Sequence, residues 1–141
     1  MTGEGDKAAD RGQPWLFDDF EEGATLGAAT LTLDEARLTR WAGLFDKTAS
    51  PATAPPGLLV ALLMEGYMAA ISPRPPGNVH AGQWLQFSGA AIGAGEALTV
   101  TMRCNGRELK NDRRRVRFGA QMCDRDGRII LEGEMRVIWA A

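Results

Sequence analysis

Residues Gly57 to Ile71 read GLLVALLMEGYMAAI. Apart from the Glu65 carboxylate and the Tyr67 hydroxyl, no side chain in this run is polar. At ~1.5 Å per residue it forms a helix about 22 Å long, short of the roughly 20 apolar residues a bilayer crossing takes. A helix that is apolar on every side has to be covered by protein all round. Its length, its Leu, Ala and Met content and the preceding Pro55-Pro56 favour helix over strand. The cover is expected from the C-terminal half, where four β-rich runs follow. The expected class is therefore α+β, a curved antiparallel sheet closed around one long central helix.

The four runs alternate with period two. Val79 to Phe87 opens the series. Ala97 to Cys104 sets Leu98, Val100, Met102 and Cys104 on one face. Arg115 to Cys123 sets Val116, Phe118, Ala120 and Met122 against Arg115, Arg117 and Gln121. Ile129 to Trp139 sets Ile129, Leu131, Met135, Val137 and Trp139 opposite Ile130, Glu132, Glu134 and Arg136. Such alternation marks strands with one buried face. Asn105-Gly106 and Asp126-Gly127 are read as the turns between them, the second being the cleaner hairpin signal.

Before the central helix, a shorter one is expected from about Asp34 to Phe45, with Leu38, Trp41, Ala42 and Phe45 on one apolar face and Arg37 and Arg40 turned away. Thr32 and Asp34 are suitable caps for it. Trp15 to Phe20 is an aromatic-acidic segment that reads as either a short strand or a hydrophobic clip onto the sheet. Asp46 to Pro56, DKTASPATAPP, is an irregular loop leading into the central helix, and Ser72 to Gly77 is a proline-rich stop.

The chain has 141 residues, 45% apolar and 24% charged, in the range of one soluble globular domain. Its formal net charge of −2 gives no general attraction to nucleic acid or anionic membrane. The start, MTGEGDKAADRGQP, has no apolar core of a targeting signal, so residues 1 to about 14 are expected to be a disordered leader and the protein cytoplasmic. Residues 15 to 141 are expected to form the single domain. Cys104 and Cys123 are read as reduced strand residues, and with one histidine they make no zinc site.

Several stretches together resemble the MaoC-like and (R)-specific enoyl-CoA hydratase group of hot-dog fold proteins, over about residues 15 to 139. PPGNVHAGQWLQF, Pro75 to Phe87, is similar to the family's turn and first strand after the helix, with Gly82, Gln83, Leu85 and Phe87 at typical places. Gly95 is similar to the glycine before the next strand. APPGLL, Ala54 to Leu59, resembles the start of the family's central helix, and Leu16 to Gly23 its opening segment. Thr32 to Ala36 with Trp41-Ala42 resembles the helix before the active site, and Asp126-Gly127 with Glu132-Gly133-Glu134 the last hairpin.

The resemblance implies acyl-thioester chemistry in a dimer. The acyl chain would lie along the central helix, with the thioester carbonyl on the Gly57 amide and Pro56 and Gln83 beside the substrate. Independently, a helix N-terminus offers free N–H groups and positive potential to a developing enolate oxygen. Pro56-Gly57 reads equally as a tight helix start.

The family's catalytic signature resembles Asp-x-Asn-Pro-x-His. Asp46 matches its first residue, but Pro51 stands where the histidine would be, and only ten residues separate Asp46 from Gly57. The catalytic loop is shortened and its histidine is missing. Three residues are candidates for proton transfer. Asp46 is the family carboxylate or a loop cap. Glu65, a carboxylate in an apolar helix, is expected to be desolvated and so suited to acid–base work, or else to sit at a rim or dimer seam. His80 is the sole imidazole; by strict alternation from Leu85 and Phe87 it shares neither their face nor their burial. It is a base or a solvated strand residue.

The basic residues Arg103, Arg107, Lys110, Arg113, Arg114, Arg115 and Arg117 read as a solvated hairpin or as a patch for the phosphates of CoA or a carrier's phosphopantetheine. Three functions follow as expectations. They are a hydratase or dehydratase with a rearranged site, a non-catalytic subunit that binds an acyl-CoA or acyl carrier protein, and a repurposed polyketide-tailoring enzyme. None calls for a cofactor or metal beyond the CoA or phosphopantetheine of the substrate.

Overall fold

The computed structural model describes residues 11–45 and 52–141. A 3-10 turn at Phe17–Asp19 is followed by strand β1 (Thr25–Thr32) and helices α1 (Glu35–Phe45) and α2 (Pro56–Ala70). Four strands complete the chain: β2 (Val79–Phe87), β3 (Ala97–Lys110), β4 (Arg113–Cys123) and β5 (Ile129–Trp139). They form one five-stranded sheet in the order β1-β3-β4-β5-β2, antiparallel throughout. This is the hot-dog arrangement expected from the apolar run and the alternating strands.

Helix α1 begins where a cap is available: the Asp34 carboxylate accepts the Arg37 N–H at 2.7 Å. Helix α2 begins at Pro56, whose fixed φ and missing N–H suit the first helical position. At its other end the Arg74 guanidinium donates to the carbonyls of Met68 and Ile71 at 2.6 and 2.9 Å. A cation there answers both the unpaired carbonyls and the negative end of the helix dipole.

The curved sheet wraps α2 along one side only. Leu58, Leu59, Leu62, Leu63, Gly66, Tyr67 and Ala70 are buried, whereas Met68 is 51% exposed and the Glu65 side chain 47% exposed. The expectation of cover all round fails for a geometric reason. Encircling a helix of ~12 Å diameter takes roughly 38 Å of sheet, and five strands at ~4.8 Å give about 24 Å. Two further apolar residues, Trp84 and Phe87 on edge strand β2, are 48% and 41% exposed.

The Trp15–Phe20 segment is a clip, not a strand. Trp15 N–H donates to Pro73 O at 3.0 Å, Phe17 N–H to Ala141 O at 2.8 Å, and Trp139 Nε1 to Trp15 O at 2.7 Å. Phe20, fully buried, stacks on Trp15 and meets Phe118 and Trp139 edge-on at centroid distances of 5.0 to 5.2 Å. Arg11 lies over the Trp15 ring; residues 1–10 fall outside the described residues.

Two local readings are corrected. Asn105-Gly106 is no turn. It is a bulge inside β3, where the register to β4 shifts between Cys104 and Gly106. The chain reverses instead at Asn111-Asp112, both at positive φ, which Asn and Asp tolerate. At the start of β5 the faces are exchanged: Ile130 is buried and Ile129 is 38% exposed. A register shift opposite Met122/Cys123 produces this, and alternation resumes at Leu131.

The Asp126-Gly127 hairpin is present and is held by Asp124. Its carboxylate accepts the Arg128 and Asp126 N–H groups at 2.9 and 3.0 Å and the Arg128 Nε at 3.0 Å. These bonds, that from the Arg128 backbone foremost, hold the Asp124 carboxyl below its ordinary value of 3.8. A lowered carboxyl contributes stability that is complete above the ordinary value and is lost as pH falls through the native one. Acidification below 3.8 is therefore expected to open this turn, and Asp124→Asn to remove the pH dependence. Amide exchange at Asp126 and Arg128 measures it; exchange that stays pH-independent in the wild-type, after correction for intrinsic rates, would contradict the assignment.

Candidate active site

The first turn of α2 has few N–H groups to offer. Pro56 has none, and those of Leu58 and Leu59 both donate to Pro55 O, at 3.0 and 3.2 Å. Among the described residues nothing accepts from the Gly57 amide, and Gly57 is exposed. Among the described residues it is the unspent donor at the positive end of the helix.

Glycine is required there by a neighbour. A Cβ at Gly57 would lie 2.8 Å from Cζ2 of Trp41. Trp41, half-buried on α1, packs against this bare backbone and meets Phe45 at a centroid distance of 4.5 Å. Phe45 is 68% exposed, and so is not part of the core its spacing suggested. Helix α1 thus sets an aromatic shelf beside one free, dipole-supported N–H. Such an arrangement can hold a carbonyl oxygen, strengthen its hold as negative charge develops, and cover an apolar chain attached to it.

Of the proton-transfer candidates, Glu65 and His80 do not converge on this point. Asp46 lies outside the described residues; it follows Phe45 directly in sequence. Glu65 is eight residues beyond Gly57, about 12 Å along the helix. Its Oε2 accepts from Arg37 Nη1 at 2.6 Å, so Arg37 turns toward α2 rather than away. The pair clamps α1 to α2, and with the Glu65 side chain 47% exposed the desolvation expected of it is absent.

His80 also departs from expectation. The β2–β5 register shifts between His80 and Gly82, leaving Ala81 as a bulge and setting His80 opposite Val137. Directly opposed residues share a face. Val137 belongs to the core, as do Met135 opposite Gln83 and Leu131 opposite Phe87. His80 therefore shares the face of Gln83, Leu85 and Phe87, contrary to simple alternation, although it is exposed.

Its place along the sheet separates it from Gly57. The segment leading into α2 is held to the β2–β3 connection, where Ala54 N–H donates to Ile92 O at 2.7 Å. The C-terminal part adjoins the middle of the sheet through Tyr67, 5.6 Å from Phe118, which pairs with Met135. Helix α2 packs chiefly over β1 and β3, whereas His80 lies on β2 at the other edge of the sheet. Gln83, opposite Met135 on the same edge strand, is exposed as well.

The structure thus brings together Gly57, Pro56, Trp41 and Phe45, and leaves Glu65 and His80 apart. Cys104 and Cys123 are free thiols, and burial pushes both up from the ordinary range, away from nucleophilic use. No local pattern marks Arg37 as the partner of Glu65, the two being on different helices. Phe45 was visible as an aromatic but its spacing pointed to the core.

No protein-family model matches the chain, and no curated protein sequence does. Solved structures do match. The chain is similar to a MaoC-like dehydratase from Rhodospirillum rubrum at 17% identity, over 90% of this chain and 98% of that one, with a TM-score of 0.77. It is similar to an (R)-hydratase from Pseudomonas aeruginosa at 21% identity, over 87% and 84%, with a TM-score of 0.71. A chain of the ChsH1-ChsH2 complex from Mycobacterium tuberculosis matches at 11% identity, over 85% and 98%, with a TM-score of 0.66. These likenesses show the hot-dog fold. No helix among the described residues is long and apolar enough to cross a membrane.

Proposed function

We propose that the protein binds an acyl thioester with its carbonyl on the Gly57 amide and acts on it as a hydratase or dehydratase. The carrying observation is the Gly57 N–H at the head of α2, unspent among the described residues and flanked by Trp41, on which Phe45 packs. Asp46, next in sequence after this aromatic shelf, is the proton-transfer residue in this reading. The structural neighbours named as dehydratase and (R)-hydratase support it. The substrate is a CoA or carrier-bound acyl group handled in the cytoplasm, with no further cofactor.

A second copy, or a second hot-dog chain, completes the assembly. Edge strand β2 has unpaired backbone and carries Val79, Trp84 and Phe87, each 41% to 53% exposed. Pairing along that edge would cover them and extend the sheet.

One observation favours a second reading. Among the described residues, neither an imidazole nor an unpaired carboxylate stands beside Gly57. A non-catalytic subunit that binds the thioester while a partner supplies the base is consistent with that.

The two readings separate in one experiment. The purified protein is given crotonyl-CoA and longer enoyl-CoAs while loss of the conjugated double bond is followed, and butyryl-CoA binding is measured by calorimetry. Turnover supports the first reading. Binding without turnover until a second hot-dog chain is added supports the second, and the absence of both refutes each. Gly57→Ala, which keeps the N–H but displaces Trp41, is expected to lower kcat/KM by about tenfold to a hundredfold, since small misplacements of a reacting group are costly. Unchanged kinetics would remove Gly57 from the site.

A further inference from the structure

The outer face of the sheet, away from α2, carries a groove of about 460 Å³ between the β3–β4 hairpin and the β2–β5 pair. Five arginines line it: Arg107, Arg113, Arg115, Arg117 and Arg136. Glu22 and Glu108 are the only acids in the lining, leaving three positive charges in excess on a chain whose net charge is −2. Concave sites with one sign of charge focus potential and concentrate the opposite ion.

The arginines are arranged at a cost to the fold. Arg117 stands directly opposite Arg136 in the β4–β5 register, a like-charge pair that destabilises a sheet. Glu134 eases it, 3.5 Å from Arg117 Nη1 and 3.7 Å from Arg136 Nε, while also accepting from Asn105 at 3.0 Å, and Arg117 Nη2 donates to Asn105 O at 3.2 Å. Arg115 Nε is buried with no hydrogen-bond partner. A buried donor left unpaired is a rarity that calls for an explanation, and a bound anion is one. Among the described residues no acid pairs with Arg113 or Arg115. Arg107 is committed elsewhere, donating to Asp18 at 3.0 Å and to Phe17 O at 2.8 Å, and serves as a wall.

Beneath the guanidinium groups the floor is sheet backbone at Val116 and Val137, whose side chains turn to the core, with Ala81 and Ile138 adding apolar surface. An anionic head with an apolar or planar body fits such a surface, and the volume is that of a small-molecule site. Guanidinium forks match phosphate oxygens in pairs. Arg115 and Arg117 alternate with Val116 and Phe118, which are fully buried on the α2 side. The thickness of the sheet therefore separates the groove from Gly57, and one thioester cannot occupy both within a chain.

We propose that this groove is a second ligand site, taking a small organic phosphate such as a nucleoside diphosphate. It stands on observations independent of the acyl site. The test titrates the full chain with ADP and with inorganic pyrophosphate at low ionic strength, by calorimetry. ADP is expected to bind saturably, one per chain, more tightly than pyrophosphate, and to weaken as salt is added.

Arg115→Gln and Arg136→Gln are each expected to weaken ADP about tenfold or more, the size of a lost charge-assisted hydrogen bond, while Arg125→Gln is not. Thermal shift supplies a second readout: ADP raises the Tm of the wild-type and not of Arg115→Gln. Butyryl-pantetheine, a thioester without a nucleotide, is expected to bind without competing with ADP. Absence of saturable ADP binding, undiminished binding in both groove variants, or competition by butyryl-pantetheine would overturn the proposal. So would capture of polyglutamate in place of ADP, which would make the groove a protein-docking surface.

Discussion

Gly66→Ala is expected to destabilise the protein by about 2–3 kcal/mol and to lower its Tm by roughly 10 °C. Gly66 sits in the C-terminal half of α2 and faces β3. A Cβ there would lie 2.5 Å from Cβ of Val100 and 2.6 and 2.8 Å from its two methyl carbons. Val100 is fully buried and branched at Cβ, so it has no free rotamer into which to retreat. The helix has to back away instead, loosening Leu62, Leu63, Tyr67 and Ala70 against the sheet. Alanine's better helix propensity returns up to ~1 kcal/mol, which is why the net figure is not larger. Thermal unfolding checks it, and Val100→Ala in the same chain should recover at least ~1 kcal/mol beyond additivity by opening the space. A Gly66→Ala protein that melts with the wild-type, or strict additivity in the double variant, would show that α2 does not press on β3 as described.

Asp46→Asn is expected to lower enoyl-CoA turnover by about a hundredfold or more, the usual worth of a general acid or base. Glu65→Gln and His80→Ala are expected to leave turnover near the wild-type level. The contrast follows from position. Glu65 is held by Arg37 at 2.6 Å and is turned toward solvent, and His80 is exposed on edge strand β2, away from β1 and β3 on which α2 packs. Glu65→Gln should show instead as a stability loss of up to ~1 kcal/mol, the ordinary range for an exposed ion pair. Equal losses in all three variants would return Glu65 and His80 to the site. Undiminished turnover in Asp46→Asn would leave hydration without a named base.

Much of the architecture was legible in the sequence because it rests on local periodicity. Strands β2 and β5 run from Val79 to Phe87 and from Ile129 to Trp139 as their patterns indicated. Helix α2 follows from fifteen residues with almost no polar side chain. What escaped depends on an extra residue or a distant partner. Asn105-Gly106 is a hairpin signal by composition, yet β3 runs on through it as a bulge and turns at Asn111-Asp112. Glu65 sits in an apolar run, but its setting is decided by Arg37 on another helix. The site was half legible. Pro56-Gly57 announced the helix start and its free amide, whereas the aromatic shelf of Trp41 and Phe45 needed the packing of α1 beside it.

The bulge at Ala81 has a consequence for comparison between proteins. An odd insertion inverts parity for every position upstream of it in the strand. Transferring roles by fixed offset from Gln83 back to His80 would assign the imidazole to the wrong side of the sheet. An alignment that skips Ala81 restores the match, so correspondence across this strand should be drawn from hydrogen-bonded partners on β5 instead of from counted spacing.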